Sequence, residues 1–252
     1  MDINQINRLK KAPRSGFTEA IRNRNVTACL VKTAEIHGHY CPGSAFGVMA
    51  ALMGMEILGE RLSSGMEDLM AVVEINACFA DGIQAVSGCT LGNNALVFRD
   101  LGKMAVTFAR RSKDRAVRIK IKGRIRDHVD KILPDYFAMM NKVIKDRKGL
   151  PGEAKAFREM GKEAAFALIE QPFGTYFEAV PCTPDLPPYA PIVATLVCPI
   201  CRDAVMSTKT VSGGREKGFC LACADRAIPG VDGRGVVLTD NRSRYEGSGD
   251  DI

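Results

Sequence analysis

The hydrophobic pattern along the chain changes its period several times, and each change predicts a different element. The longest apolar run, residues 45–55, is nearly uninterrupted, with Pro42 placed to begin a helix and Gly59 placed to end it. This run therefore predicts a buried helix. A shorter helical pattern over residues 17–32 precedes it and leads the chain towards His37.

The rest of the first 180 residues alternates between strand and helix patterns. Strands are predicted over residues 69–76, 103–111 and 115–123, and amphipathic helices over residues 126–147 and 151–171. The predicted class is α+β, a mixed sheet with packed helices plus a small C-terminal zinc-ribbon domain. Because the sequence contains no GxGxxG motif, Walker loop or internal repeat, it gives no support to a nucleotide cofactor.

A proline-rich segment marks a boundary between domains. Five of the twelve prolines fall within residues 181–191, PCTPDLPPYAP, and prolines at this density hold a backbone extended. We predict a core domain over residues 1–180, a stiff linker over 181–191, a zinc-ribbon domain over 192–228 and a C-terminal tail over 229–252.

The segment after the linker contains two CxxC pairs. Eighteen residues separate the two pairs, which are formed by Cys198, Cys201, Cys220 and Cys223. Four thiolates at this spacing are typical of one tetrahedral zinc ion. A module of about thirty residues buries too little core to fold alone, so the ion would stabilise the fold as well. The sequence shows no fifth ligand, and we expect a structural zinc site.

The charge of this module bears on nucleic-acid binding. Residues 192–252 carry eight basic and eight acidic side chains, so the module is neutral. Phosphate binding requires a basic surface. The balance favours a protein contact or a cap on a dimer over nucleic-acid binding.

The basic excess of the chain lies in residues 110–126, which hold nine Lys or Arg side chains and one acidic residue, Asp114. Basic and apolar positions alternate there, which predicts a strand with one cationic face. Two interpretations remain open. The face is a solvated sheet surface or protected edge, or it is a docking face for a polyanionic ligand or acidic partner.

Composition limits the cellular setting. The chain has 252 residues, 46% hydrophobic and 25% charged, as in an ordinary soluble protein. Its longest apolar run is too short to span a bilayer, and its first residues lack the apolar block of a signal peptide. We expect a cytoplasmic protein without a membrane partner, whose nine cysteines are thiols or metal ligands.

Two of the three histidines and a cysteine stand at alternate positions, His37, His39 and Cys41. An extended segment would place all three side chains on one face, and a helical one would pair His37 with Cys41. Cys41 directly precedes a predicted helix N-terminus, which stabilises a thiolate and prepares it to bind metal or to attack. The alternative is a buried helix cap with incidental histidines.

A second group of chemistry-bearing residues follows the first predicted strand. It consists of Cys78, Asp81 and Cys89, with Asp81 placed to cap a helix that begins DGIQAV. The two thiols flank that helix. They complete a His/Cys metal site, form a redox pair or pack as small apolar groups, and their spacing leaves all three open.

The motifs HGHYCPG and EINACFADGIQAVSGCTLGN resemble those of the FmdE family, the E subunits of formylmethanofuran dehydrogenases. The resemblance covers residues 17–171, and some family members similarly append a cysteine-rich zinc module. It implies an α+β core in an intertwined homodimer. It also implies a metal pocket, with Asp81 beside it, that is formed by His37, His39, Cys41, Cys78 and Cys89.

The resemblance implies a metal-binding redox or accessory component of a molybdenum- or tungsten-dependent formylmethanofuran or formate system. The pocket ion would be Zn, Fe or Ni, since imidazole and thiolate ligands suit all three. The catalytic candidates are Cys41 as ligand or nucleophile, His39 as ligand or proton carrier, and Asp81 as orienting carboxylate or base. Two alternatives are a stand-alone thiol- or metal-dependent enzyme and a zinc-ribbon regulator that binds nucleic acid.

Overall fold

The computed structural model describes residues 2–59 and 66–239, and the chain forms two units, Met1–Pro187 and Pro188–Ile252. The helices of the first unit are α1 (Ile3–Lys11), α2 (Ser15–Arg22), α3 (Val26–His37), α4 (Pro42–Leu58), α5 (Cys78–Ser87), α6 (Ile125–Val129), α7 (Tyr136–Met140), α8 (Pro151–Ile169) and α9 (Phe173–Tyr176), with a π-helical turn at Asn141–Lys145. Its strands are β1 (Leu69–Val73), β2 (Leu96–Phe98), β3 (Ala105–Arg110), β4 (Ala116–Ile121) and β5 (Phe177–Cys182).

The five strands form one mixed sheet in the order β2-β1-β3-β4-β5. β1 pairs parallel with β2, with Ala71 opposite Leu96, whereas the β1–β3, β3–β4 and β4–β5 pairs are antiparallel. Because α5 connects the parallel pair, β1, α5 and β2 form a crossover unit. The predicted α+β class with a mixed sheet and packed helices is confirmed.

The buried helix predicted from the apolar run is α4. It begins at Pro42 and ends at Leu58, and Gly59 closes it with a left-handed φ of 71°. Its side chains Phe46 and Met49 are fully buried in the core. Among the described residues, no helix is both long and apolar enough to cross a membrane.

Glycines allow α4 and α5 to approach closely. A Cβ at Gly47 would lie 2.2 Å from the carbonyl oxygen of Phe79, and a Cβ at Gly82 would lie 2.6 Å from that of Ser44. A third close approach brings Gly43 against Cys78. Because these contacts advance along both helices in the same direction, the two helices begin at the same end of the molecule.

Two predicted helices are wrong in their continuity. The helix predicted over residues 17–32 is divided into α2 and α3 by a turn in which Arg24 has a φ of 50°. The Asn25 side chain then caps α3 by accepting from the Ala28 amide at 2.8 Å. The helix predicted over residues 126–147 is broken between α6 and α7, a segment that contains Pro134, because proline lacks the amide donor and disfavours a helical residue before it.

The proline-rich segment begins as part of the core unit. Pro181 and Cys182 belong to β5, where they pair with Val117 and Ala116. Beyond the strand, the Arg99 guanidinium donates to the Asp185 carboxylate at 2.7 Å. Another arginine, Arg111, donates to the Pro187 carbonyl at the same distance. The core unit therefore extends past residue 180.

The cationic strand is β4, and it is not an edge, because it lies between β3 and β5. Arg118 donates to both carboxylate oxygens of the buried Glu74, at 2.5 and 2.7 Å. Lys120 forms an ion pair with Glu178 at 3.0 Å. Since these two cations are already paired, the structure gives no support to a docking face for polyanions here.

The second unit contains two short antiparallel hairpins. Its strands are β6 (Thr195–Val197), β7 (Ala204–Met206), β8 (Ile228–Asp232) and β9 (Gly235–Thr239). The tail predicted over residues 229–252 therefore begins with a hairpin, in which Val231 pairs with Val236. The remainder of that tail, residues 240–252, lies outside the described residues.

Candidate functional site

Four of the predicted metal ligands meet where α3, α4 and α5 converge. The ligand atoms of His37, His39, Cys41 and Cys78 all lie within 4.8 Å of one another. His37 ends α3, Gly38 turns the chain with a φ of 81°, and Cys41 caps α4. The segment is thus a tight turn between two helices, neither the extended strand nor the single helix considered from the sequence.

A carboxylate orients His37. Its Nδ1 donates to Oδ2 of Asp81 at 2.7 Å, while its Nε2 lies 3.5 Å from Sγ of Cys41. The predicted cap role of Asp81 is wrong, because α5 begins at Cys78 with Ala77 as its cap and Asp81 lies in the first turn. From that position Asp81 fixes the imidazole and leaves Nε2 facing the thiols.

The surroundings of Cys41 favour the thiolate. The Ser44 amide donates to its Sγ at 3.4 Å at the N-terminus of α4. Hydrogen bonding from Cys78, and then from His37 and Ser44, lowers the pKa of Cys41 to about 3 despite its burial. The same contact with Cys41 raises the pKa of Cys78. Hydrogen bonding to Cys41, helped by Asp81, raises the pKa of His37 to about 9 although burial opposes it.

The donor set of this group, two imidazoles and two thiols, fits a tetrahedral ion. Zinc bonds of 2.0–2.3 Å place neighbouring ligand atoms roughly 3.6 Å apart. The 3.5 Å separation of His37 Nε2 from Cys41 Sγ matches that spacing. A carboxylate on the outer nitrogen of His37 is the arrangement that orients metal-binding histidines. These four side chains are therefore chemically suited to hold Zn, Fe or Ni.

Cys89 does not join the group. It follows α5, a ten-residue helix about 15 Å long, whereas Cys78 begins that helix. The Cys89 Sγ donates to the Leu69 carbonyl at 3.2 Å, and the side chain is fully buried. Burial raises the pKa of Cys89 to about 11. The prediction of Cys89 as a ligand is corrected, because one ion cannot reach both ends of α5.

A cavity of about 420 Å³ opens onto the His/Cys group. His39, Cys41 and Cys78 line one side, and aromatic side chains of α7 and α8, including Tyr136 and Phe157, line another. These lining residues were not predicted from the sequence, since an amphipathic pattern marks them as core positions and carries no sign of a cavity.

The second unit holds a separate group of thiols. The Sγ atoms of Cys198, Cys201, Cys220 and Cys223 also lie within 4.8 Å of one another. Backbone amides support them, since Cys220 N donates to Cys198 Sγ at 3.4 Å and Cys223 N donates to Cys220 Sγ at 3.3 Å. The Cys220 amide is also the main cause that lowers the pKa of Cys198 to about 6. The four thiols suit a zinc ion.

Comparisons with known proteins agree with this arrangement. Residues 36–178 match the family described as "FmdE, Molybdenum formylmethanofuran dehydrogenase operon". The matched segment contains all four members of the core His/Cys group as well as Asp81.

Two individual proteins are also similar. A protein of Archaeoglobus fulgidus named "Probable S-adenosyl-L-methionine-binding protein" is 36% identical over 233 residues, 90% of this chain and 61% of that protein. The chain thus spans about three-fifths of that relative's length. The crystal structure of an FmdE-like protein of tungsten formylmethanofuran dehydrogenase from Syntrophus aciditrophicus has 22% identity and a TM-score of 0.48, covering 79% of this chain and 91% of that one. Because the family match covers more than half of the 252 residues, the chain belongs to the FmdE family.

Proposed function

We propose that this FmdE protein binds one metal ion in its core unit through His37, His39, Cys41 and Cys78, and a structural zinc ion in its C-terminal unit. The observation that supports the core site is the convergence of four ligand atoms within 4.8 Å. When bound, the core ion supplies Lewis acidity or, if it is Fe or Ni, electron exchange.

The side chains around the core site prepare it for that ion. Asp81 holds the His37 ring so that Nε2 faces the thiols, and the helix N-termini at Cys41 and Cys78 favour negative sulfur. His39 is exposed and lines the cavity, so a molecule in the cavity reaches the site from that side.

The physiological setting that we propose is a molybdenum- or tungsten-dependent formylmethanofuran or formate system, with this chain as a redox or accessory component. The family's description as part of a molybdenum formylmethanofuran dehydrogenase operon supports it. We further propose that the chain acts as a homodimer beside such an enzyme.

The test is metal analysis of protein purified without chelator. We expect two ions per chain, and we expect Cys78→Ser to lose about one of them while the fold is retained. Cys89→Ser is the matched control, because it removes a thiol from the far end of the same helix and should keep both ions. A Cys78→Ser variant with the full metal content would contradict the core site.

A second candidate function is thiol-dependent catalysis by Cys41. The observation that favours it is the chain of contacts from Asp81 through His37 to Cys41, in which the carboxylate orients the base and the base faces the nucleophile. Such an arrangement would make Cys41 an attacking thiolate in protein without the core ion.

The ligand in the name of the Archaeoglobus relative, S-adenosyl-L-methionine, is not the ligand that we propose. The described lining of the cavity contains no carboxylate to bind an amino group or ribose hydroxyls. This chain also corresponds to only 61% of that relative.

A further inference from the structure

We propose that the cavity binds a small apolar monocarboxylate, with Arg158 as the residue that selects the anionic group. This names the ligand class for the proposed metal centre and to that extent rests on the proposed function. Arg158 belongs to α8 and lines the cavity that His39 and Cys41 also line.

The cavity lining defines the body of the ligand. Outside the His/Cys group, the described lining is dominated by aliphatic and aromatic side chains, among them Met104, Phe137 and Met140. A volume of about 420 Å³ lies within the range of small-molecule sites, which bury an apolar body and orient it through a few polar groups. The ligand is therefore mainly apolar and of modest size.

The charge of Arg158 defines the polar end of the ligand. No carboxylate lines the described cavity, and no ion pair of Arg158 occurs among the described residues. The positions one helical turn away on α8 are Ala154, Lys155, Gly161 and Lys162, none of them acidic. A guanidinium at an apolar cavity, without an acidic side chain one turn away on its own helix, is suited to a carboxylate because it can donate two hydrogen bonds to it.

The position of α8 places the other end of the ligand near the metal site. Helix α8 touches the site at Gly161, where a Cβ would lie 3.0 Å from the Tyr40 carbonyl and 3.9 Å from Cα of Cys41. Arg158 precedes Gly161 by three residues, about 4.5 Å along the helix axis. A ligand only a few bonds long therefore spans from the guanidinium to Cys41 and His39.

Fluorescence provides a direct test, because the chain has no tryptophan to interfere. The probe is 8-anilinonaphthalene-1-sulfonate, which has an aromatic body and one anionic group, and the competitor is 3-phenylpropionate. We expect the carboxylate to displace the probe, and the neutral 3-phenylpropanamide to do so much more weakly.

Two matched variants test the role of Arg158. Arg158→Gln should weaken 3-phenylpropionate by about three- to tenfold and leave the amide unchanged. Lys155→Gln removes the same charge from the same helix but outside the cavity, and should bind both compounds as the wild type does. Equal effects of the two substitutions, or equal competition by amide and carboxylate, would overturn the proposal.

Metal analysis of the same samples separates this inference from the proposed function. Failure of 3-phenylpropionate to bind protein that carries the core ion overturns the ligand class alone. A rim substitution, Ile144→Trp, adds a further check, because Ile144 is 44% exposed and lines the cavity. It should block the probe without unfolding the protein, and unchanged probe binding would place the ligand elsewhere and overturn the proposal.

Discussion

At Cys41, a helix N-terminus, a neighbouring thiol and an imidazole all act on one sulfur atom. Because the pKa of Cys41 is lowered to about 3, its thiolate persists at every pH above that value in protein without the core ion. An unperturbed thiol with a pKa near 8.5 behaves differently, since its thiolate fraction falls roughly 80-fold between pH 8 and pH 6.

This difference predicts the pH dependence of alkylation. In metal-stripped protein, the rate of iodoacetamide labelling at Cys41 should change by less than about threefold between pH 8 and pH 6. Site-resolved mass spectrometry measures the rate, and the exposed Cys182, whose pKa is raised by partial burial of its thiol, serves as the internal control. Equal slowing of both residues at low pH would refute the thiolate assignment. Asp81→Asn should slow Cys41 by weakening its imidazolium partner.

The spacing of residues in the sequence located most of the core group but not its geometry. His37, His39 and Cys41 were identified by spacing, and the structure brings them together with Cys78. Spacing could not exclude Cys89, because the two thiols flank a helix and only the start of that helix, at Cys78 rather than Asp81, decides which end faces the histidines.

At the scale of elements, the contact between α4 and α5 positions the two cysteine ligands. Gly47→Ala should destabilise the protein by about 1–3 kcal/mol, because its Cβ would lie 2.2 Å from the Phe79 carbonyl and force the helices apart. Since Cys41 and Cys78 begin these helices, the same substitution should also reduce core metal content. Thermal unfolding and metal analysis measure the two effects.

A glycine elsewhere supplies the control for that substitution. Gly152 lies in the first turn of α8, and a Cβ there would meet nothing within 4 Å. Gly152→Ala should leave metal content unchanged and raise stability by about 0.4–1 kcal/mol. Similar losses in both variants would show that the glycine contact between α4 and α5 does not set the site.

The elements that sequence patterns predicted well are those with an unbroken period and clear ends. The buried α4 has Pro42 and Gly59 at its boundaries, and its predicted limits are confirmed. The helix predicted over residues 17–32 failed because a single left-handed residue, Arg24, interrupts a continuous apolar pattern. The apolar pattern does not report backbone φ, so the turn could not be predicted from it.

At the scale of the whole molecule, the division into two units follows the proline-rich segment. The observed boundary falls between Pro187 and Pro188, inside the predicted linker of residues 181–191. The first residues of that segment were assigned to the linker because their prolines lack amide donors. Pro181 nevertheless belongs to β5, the last strand in the sheet order, and proline is tolerated at a sheet edge.

The zinc group of the second unit should stabilise that unit alone, because its four cysteines lie within Pro188–Ile252. Its two hairpins are short, and a two-stranded hairpin is marginally stable in water, so the ion has to supply much of the folding free energy. Cys198→Ser and Cys223→Ser should therefore each lose about one zinc per chain.

The same variants should expose the second unit to protease while the core unit keeps its thermal midpoint and its own metal. Cys182→Ser is the control, since this exposed cysteine belongs to neither thiol group. Limited proteolysis followed by mass spectrometry distinguishes the two units, with cleavage expected after residue 187. If Cys198→Ser and Cys223→Ser retain full zinc, the four thiols do not form a metal site, and the hairpins must be stabilised by contacts other than an ion.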